Sequence, residues 1–259
     1  MSETIIVNIK SGVETIILNR PDSYNAFNRE MSLALQKAID LGASDSAVRA
    51  ILITGKGKAF SSGQDLNEAT NPKGPDLNTI LLEHFNPIIR KIRKTPKPIV
   101  IAINGIAAGA GANLALVGDI VVASESASFV QAFSKIGLIP DSGGTLTIPR
   151  LVGYAKASAW MITGEKIGAQ EALASGMIYK IFSNDELIDK SLEIAEALAK
   201  QPTRAFAGIK EAINRSTFYG LDEQLETERA LQVNMGETHD FKEGVSAFLE
   251  KRSPKFKGE

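Results

Sequence analysis

The stretch Pro98-Ile-Val-Ile-Ala-Ile-Asn-Gly-Ile-Ala-Ala-Gly-Ala-Gly-Ala-Asn-Leu-Ala-Leu-Val-Gly-Asp-Ile-Val-Val-Ala123 decides the fold. Its first part, 98–103, is apolar without alternation and stops at Asn104-Gly105, as a short strand buried on both faces does. Glycines at 105, 109 and 111 make a loop, a short apolar helix runs through Leu116, and 119–123 is the next strand. The same order holds upstream. Residues 48–54 predict a buried strand and 55–63 a Gly/Ser loop. Residues 77–94 predict a helix with Ile80, Leu81, Phe85, Ile88, Ile89 and Ile92 inward, stopped by Pro96 and Pro98. Strands alternating with helices predict an α/β core with parallel strands covered on both sides.

Outside this centre, Ile5, Val7 and Ile9 alternate, Ser11-Gly12 turns, and residues 13–18 complete a hairpin. Asn28 is placed to cap a helix reaching about Leu41, with Met31, Leu35, Ala38 and Ile39 on one face. After about Tyr154 the pattern is helix after helix: 169–175 closed by Gly176, then 185–200, 203–215, 221–235 and 240–251. Asp240-Phe-Lys-Glu243 has the spacing of a capping box. Gln201-Pro202 marks a boundary between residues 1–200 as core and 201–259 as a helical C-terminal region.

Composition excludes several kinds of chemistry. The 259 residues contain no Cys and two His, His84 and His239. Disulfides, thiolate metal sites and cysteine nucleophiles are absent, and a histidine-rich metal centre is not expected. Net charge is −1, without the basic excess of a dedicated nucleic-acid binder. Arg90, Lys91, Arg93, Lys94 and Lys97 form one basic run, either a solvated helix end or an RNA-binding face. No apolar run approaches the roughly 20 residues of a membrane span, since 99–123 is broken by Asn104, Asn113 and Asp119. The start, Met1-Ser2-Glu3-Thr4, lacks signal-peptide character, so the reading is a cytoplasmic protein without a membrane partner.

Three glycine-containing loops, at 61–64, 105–111 and 137–144, are read as following strands, where open α/β sheets place ligands. Such loops also aim backbone N–H groups at anions or carbonyl oxygens. Gly109-Ala-Gly111-Ala-Asn-Leu lacks the third glycine of a dinucleotide fingerprint, and Gly55-Lys-Gly-Lys58 fails the Walker pattern. Pro140-Asp-Ser-Gly-Gly144 looks like the surroundings of a serine-protease nucleophile, with His84 and Asp119 in the matching chain order. Nothing brings His84 to Ser142, however, and that chemistry belongs to a β-barrel. Asp141 itself, among Phe133, Ile136, Leu138, Ile139 and Pro140, fits two roles: a proton shuttle with a raised pKa, or a turn-capping carboxylate.

Longer motifs add a resemblance. They are Leu18-Asn-Arg-Pro-Asp-Ser-Tyr-Asn-Ala26, Lys58-Ala-Phe-Ser-Ser-Gly-Gln-Asp-Leu66, Lys97-Pro-Ile-Val-Ile-Ala-Ile-Asn-Gly105 and Ala107-Ala-Gly-Ala-Gly-Ala-Asn-Leu-Ala115. Gly118-Asp-Ile120, Ile136-Gly-Leu-Ile-Pro-Asp-Ser-Gly-Gly-Thr145, Gly176-Met177 and Glu243-Gly-Val-Ser-Ala-Phe-Leu-Glu-Lys-Arg252 continue the set. Together they resemble the crotonase (enoyl-CoA hydratase/isomerase) superfamily along nearly the whole chain. The resemblance implies a ββα spiral core and a helical C-terminal region used for trimerisation and the CoA pocket. It also implies a homotrimer or dimer of trimers, an acyl-CoA thioester as substrate, and no separate cofactor or metal. The thioester oxygen would be held by the N–H groups of Gln64 and Ala110. Ala26, Ser62, Gly63, Asp65, Leu66 and Gly109 would line the CoA and thioester site, and Lys257 would either reach a phosphate, within its own or a neighbouring subunit, or be a solvated tail lysine.

The same resemblance bears on the reaction. Hydratases of the superfamily use two glutamates, at the positions of Asn113 and Phe133 here, and neither is Glu. Dehalogenases carry an Asp nucleophile where Asp141 stands but also a Trp where Phe133 stands, and for want of that Trp they rank low. One carboxylate, Asp141, remains opposite the two N–H groups, which suits an isomerase. Phe129-Val-Gln-Ala-Phe-Ser-Lys-Ile-Gly-Leu-Ile-Pro-Asp-Ser-Gly-Gly144 and Phe85-Asn-Pro-Ile-Ile-Arg-Lys-Ile92 are similar to the 1,2-epoxyphenylacetyl-CoA isomerase branch. That branch belongs to phenylacetate catabolism and is also associated with 3-enoyl to 2-enoyl shifts. Phe133 is expected on the acyl-pocket wall. Asn113 is either a polar contact to substrate or a packing amide. Crotonase-type enzymes of other specificity (hydratase, dehalogenase or hydrolase) and a non-catalytic RNA-binding or oligomerising protein are the alternatives.

Overall fold

A computed structural model describes residues 4–259. Met1 to Glu3, most of the start read as lacking a signal peptide, lie outside the described residues. The strands are β1 (Ile5–Lys10), β2 (Val13–Leu18), β3 (Ala50–Gly55), β4 (Ala59–Ser61), β5 (Ile99–Ile103), β6 (Ile106–Ala108), β7 (Ile120–Ser124), β8 (Ser128–Val130), β9 (Lys166–Gly168) and β10 (Lys180–Phe182). The helices are α1 (Arg29–Ser44), α2 (Leu66–Ala69), α3 (Leu77–Thr79), α4 (Asn86–Lys94), α5 (Ala110–Leu116) and α6 (Gly144–Val152), followed by α7 (Tyr154–Thr163), α8 (Ala169–Ala174), α9 (Leu187–Ala199), α10 (Thr203–Thr217), α11 (Leu221–Gly236) and α12 (His239–Leu249).

Two sheets run β1-β2-β3-β5-β7-β10 and β4-β6-β8-β9. Consecutive strands separate between them: β3, β5 and β7 enter the large sheet, and β4, β6 and β8, a few residues later, enter the small one. A helical segment then returns the chain for the next turn. This is the expected ββα spiral. The shared strand pairs are parallel, except β1 with β2 and β8 with β9.

Burial on both faces explains the unbroken apolar strands. Ile51, Ile53, Ile99, Ile101 and Ile103 join the main core with α1 and α4 residues. Their neighbours Ala50, Leu52, Val100, Ala102 and Val122 face the other way and pack with Leu187, Ala195 and Ala199 of α9. The period-2 geometry of a strand thus feeds two cores at once. The hairpin forms as expected, with Ser11 and Gly12 both at positive φ. Asn28 Oδ1 accepts the Met31 N–H, capping α1.

Several sequence expectations need correction. The loops at 55–63 and 105–111 contain β4 and β6, and the helical stretch after residue 154 contains β9 and β10. The loop at 137–144 follows a 3₁₀ turn, Ala132–Ile136, and not a strand. Residues 77–94 are helical but pass through a π segment, Ile80–Phe85. Pro87 lies just beyond it and has no N–H to give the carbonyl four residues back. That carbonyl, of Glu83, instead accepts from Gln36 Nε2 at 2.7 Å. The capping box at 240–243 does not form. Thr238 caps α12 by accepting the Phe241 N–H, while Asp240 accepts N–H bonds from Lys257 and Gly258. The N–H groups of the tail are exposed donors without sheet or helix partners, and they win the carboxylate.

Glu14 of β2 is a buried charge with a measurable consequence. It is 2% exposed, and its Oε2 has no partner among the described residues. Gly42 of α1 lies so close that a Cβ there would fall 1.7 Å from Oε2. Burial pushes the carboxyl up to about 7, against the pull of Lys97. The unfolded chain therefore releases this proton at lower pH than the folded one, and Glu14 erodes stability as pH rises from the ordinary carboxylate range through about 7. Glu14→Gln is expected to match the wild type at pH 4 and exceed it by on the order of 2 kcal/mol at pH 8 in urea unfolding. Parallel curves across that range would show the carboxyl is solvated.

Candidate active site

The carboxyl ends of β4 and β6, parallel neighbours in the small sheet, deliver two loops to one cavity of about 530 Å³. Gln64 follows β4. Gly63 O accepts the Phe27 N–H and Phe27 O accepts the Asp65 N–H, so the N–H of the residue between them points away from Phe27. Ala110 opens α5, where first-turn N–H groups have no intrahelical acceptor. Neither N–H has a hydrogen-bond partner among the described residues. Both residues line the cavity.

The loops meet closely because Gly63 has no side chain. Its φ is +91°, and a Cβ there would sit 2.9 Å from Ala108 O and 3.4 Å from Ala110 N. Gly63→Ala is expected to push the two donors apart and lower turnover on the order of 10²-fold, with near-normal far-UV circular dichroism. A fully active variant would show that the two N–H groups need not converge.

Hydrogen bonds fix the loops from behind. Arg20 pairs with Asp65 at 2.8 Å and donates to the Ala26 carbonyl. Asn25, buried at φ +53°, donates to Lys56 O and Ala59 O. Ser61 Oγ donates to Asn25 O and accepts the Gly63 N–H. Ala26, Ser62, Gly63, Asp65, Leu66 and Gly109 all line the cavity. Arg20 and Asn25 were not singled out as site residues from the sequence, although both stand in the quoted stretch 18–26.

Asp141 lies on the same cavity, 7% exposed. Ser142 Oγ donates to its Oδ1 at 2.8 Å and Gln232 Nε2 to its Oδ2 at 2.9 Å. Burial pushes the carboxyl up to about 6, although both hydrogen bonds favour the ionised form. Phe133 lines the cavity beside Gly109, where a Cβ would be 3.6 Å from the ring. Ile80, Leu81, Phe85 and Leu138 extend this apolar wall, and Ala247, Phe248 and Leu249 approach from the C-terminal region. Asp65 and Asp141 are the carboxylates on the cavity among the described residues, and Asp65 is held by Arg20.

Two expected site residues lie elsewhere. Asn113 is fully buried and does not line the cavity: its Nδ2 donates to Asp141 O and its Oδ1 accepts from Gln131 Nε2. It is the packing amide, seated under the Asp141 backbone, because α5 runs inward behind the loop. Lys257 sits in the exposed tail with its N–H on Asp240 and is not one of the residues that line the cavity; among the described residues the cations that line it are Lys135 and Arg252. Gln232 and Glu228 of α11 escaped the sequence reading, since an amphipathic helix does not announce which loop its buried polar side meets.

The structure also bears on the rival readings. Ser142 Oγ serves Asp141, and both His84 ring nitrogens lack partners among the described residues, so no Ser-His pair exists there. In the basic run, Arg90 pairs with Asp222, Lys91 with Asp40 and Arg93 with Asp119, while Lys97 donates to Gly42 O and Asp45 O. Among the described residues no helix is long and apolar enough to cross a membrane.

The sequence pattern of the enoyl-CoA hydratase/isomerase family matches residues 8–259. The chain is 46% identical over 261 aligned residues to the 1,2-epoxyphenylacetyl-CoA isomerase of Escherichia coli K12, covering all of both chains. It is 44% identical to a probable enoyl-CoA hydratase of Rhodobacter capsulatus, over 98% of each. Among solved structures, an enoyl-CoA hydratase from Mycobacterium avium subsp. paratuberculosis K-10 superposes with a TM-score of 0.90 at 35% identity, over 98% of each chain. The chain belongs to the enoyl-CoA hydratase/isomerase family and has the crotonase fold.

Proposed function

We propose that this protein is an acyl-CoA isomerase that moves one proton with one carboxylate. The thioester oxygen accepts hydrogen bonds from the Gln64 and Ala110 N–H groups. Asp141 takes a proton from the carbon α to the thioester, and the charge passes to the oxygen as an enolate. Protonated Asp141 then returns the proton at another carbon. With a 3-enoyl-CoA this gives the conjugated 2-enoyl isomer. With 1,2-epoxyphenylacetyl-CoA, the ring carbon–carbon bond under the epoxide breaks while both carbon–oxygen bonds stay, which expands the six-membered ring to an oxepin, and Asp141 moves the α-proton to a ring carbon to give oxepin-CoA with its new double bond at the α-carbon.

The observation that carries this reading is the set of groups on the cavity. Asp141, a carboxyl with no cation partner among the described residues, shares the cavity with two N–H groups that have no partner among them and with the apolar wall of Phe133, Ile80, Leu81, Phe85 and Leu138. A hydratase must activate a water and also deliver a proton, but the two positions where its glutamates would stand hold Asn113 and Phe133. The likeness to the Escherichia coli isomerase adds support for the epoxide as substrate and for a role in phenylacetate breakdown.

Three further expectations belong to the same proposal: a cytoplasmic enzyme, no cofactor beyond the substrate's CoA, and a trimer or dimer of trimers. The exposed Ile209, Ile213 and Tyr219 in the region 201–259 support a subunit contact there, while α12 supplies the CoA pocket.

The test is a product assay with 1,2-epoxyphenylacetyl-CoA, 3-hexenoyl-CoA and crotonyl-CoA. Isomerisation of the first or second, with negligible hydration of the third, is expected. Efficient hydration of crotonyl-CoA would overturn the reading.

A further inference from the structure

Helix α11 presents Gln224, Glu228 and Gln232, four residues apart and so on one face. All three bind the segment 139–145. Gln224 Nε2 donates to Thr145 Oγ1 at 2.7 Å. Glu228 accepts the Gly143 N–H at 2.8 Å, the Thr145 N–H at 3.0 Å and the Thr145 hydroxyl at 2.5 Å. Gln232 accepts the Ile139 N–H on Oε1 at 2.9 Å and donates from Nε2 to Asp141 Oδ2.

The orientation of the Gln232 amide follows from its partners. The Ile139 N–H can only donate, so Oε1 must face it, and Nε2 must face Asp141. The reverse orientation would set N–H against N–H and oxygen against a carboxylate. Gln232 is 1% exposed, so water cannot substitute for either partner. With Ser142 on Oδ1 and Gln232 on Oδ2, both ends of the Asp141 carboxyl are pinned and its plane cannot turn.

We propose that Gln232 is the positioning residue of the proton shuttle: it fixes the Asp141 carboxyl on the cavity and, as a donor, favours its ionised form. This rests on the reading of Asp141 as the base. The other titratable groups about that carboxyl are few. Glu228, also on α11, opposes its charge. Lys135 of the 3₁₀ turn, Arg252 after α12, and Asp65, paired with Arg20, line the same cavity. Helix α5 brings only the Asn113 amide, on the Asp141 carbonyl.

The experiment compares wild type, Gln232→Met and Gln232→Glu. Met keeps the length and removes the donor. Glu keeps an acceptor for Ile139 and sets an oxygen against Asp141. Two readouts are taken on folded protein: the ¹³C titration of the Asp141 carboxyl, identified by its loss in Asp141→Asn, and the pH dependence of kcat/KM for 3-hexenoyl-CoA isomerisation. Removing a donor from a carboxylate is expected to raise its titration by about one pH unit. Both the carboxyl midpoint and the acid limb of kcat/KM then move upward together, about tenfold in rate on the acid side, with KM little changed. A carboxyl midpoint unmoved in both variants would overturn the role of Gln232. If the midpoint moves and the rate limb does not, the hold of Gln232 on Asp141 stands, and Asp141 as the base falls.

Discussion

Asp141→Asn is expected to lower isomerisation by about 10²–10⁴-fold and to leave acyl-CoA binding within a few-fold. The asymmetry follows from the geometry. The amide fills the same space and can keep both hydrogen bonds, accepting from Gln232 Nε2 and donating to Ser142 Oγ. The N–H groups of Gln64 and Ala110, and the apolar wall built on Phe133, are untouched, so the ligand still has its site. What disappears is a group that can carry the proton. Burial holds the carboxyl at about 6, which places its ionised form in the majority at neutral pH and still makes its acid form a competent donor. The acid limb of kcat/KM is therefore expected near pH 6, above the ordinary range of an aspartate. Isothermal titration with a non-reacting acyl-CoA, beside the rate assay, separates binding from turnover. Retained turnover in the variant would remove Asp141 from the mechanism.

Asp119→Asn is expected to cost about 3–5 kcal/mol of stability, although the residue lies away from the cavity. Asp119 joins two buried cations. Arg93 reaches its Oδ1 at 3.1 Å and Lys210 its Oδ2 at 2.7 Å, and the Ile99 N–H also bonds Oδ2. Burial lowers the pKa of both cations, and the Asp119 charge opposes that effect at each. Arg93 is further tied to Val117 O and Asn214 and stacks over Phe218, 4.2 Å from the ring centre. The amide would leave two positive charges in a poorly solvated place with no countercharge. Lys210 can shed its proton to relieve this and Arg93 cannot. Adding Lys210→Met to Asp119→Asn should therefore recover part of the loss. Urea unfolding of the three proteins checks the account, and a cost below about 1 kcal/mol for Asp119→Asn would show that the cluster is hydrated.

Legibility in the sequence followed length and locality. Strands β3, β5 and β7 could be read because both faces are buried and each run is five or six residues long. The cap at Asn28 and the turn at Ser11-Gly12 could be read because both are set by neighbouring residues. Strands β4, β6, β8 and β9 could not: each has three residues, too few to show a period, and each forms only by pairing with segments distant in sequence. The π segment before Pro87 depends on Gln36, some fifty positions away, to take up the carbonyl that the proline leaves.

The site divides in the same way. Asp141 stood out because its apolar neighbours are adjacent in the chain. Gln64, Ala110 and Phe133 came through the family resemblance. Gln232 and Glu228 lie some ninety residues from the loop they hold, and nothing in the pattern of α11 distinguishes them from solvated side chains. For Asn113 the sequence left two roles open, a substrate contact or a packing amide, because the partners that decide between them, the Asp141 carbonyl and Gln131, are brought to it by the fold.

The central claim is that one carboxylate moves a proton at the α-carbon of a thioester held by two backbone N–H groups. Its most direct test is proton NMR of 3-hexenoyl-CoA incubated with the protein in D₂O. Accumulation of 2-hexenoyl-CoA is expected, with deuterium at its γ-carbon where protonated Asp141 has exchanged with solvent before delivery, and at the α-carbon where it returns the proton to its origin, all lost in Asp141→Asn. A 3-hydroxyacyl product, or α-exchange that persists in Asp141→Asn, would contradict it.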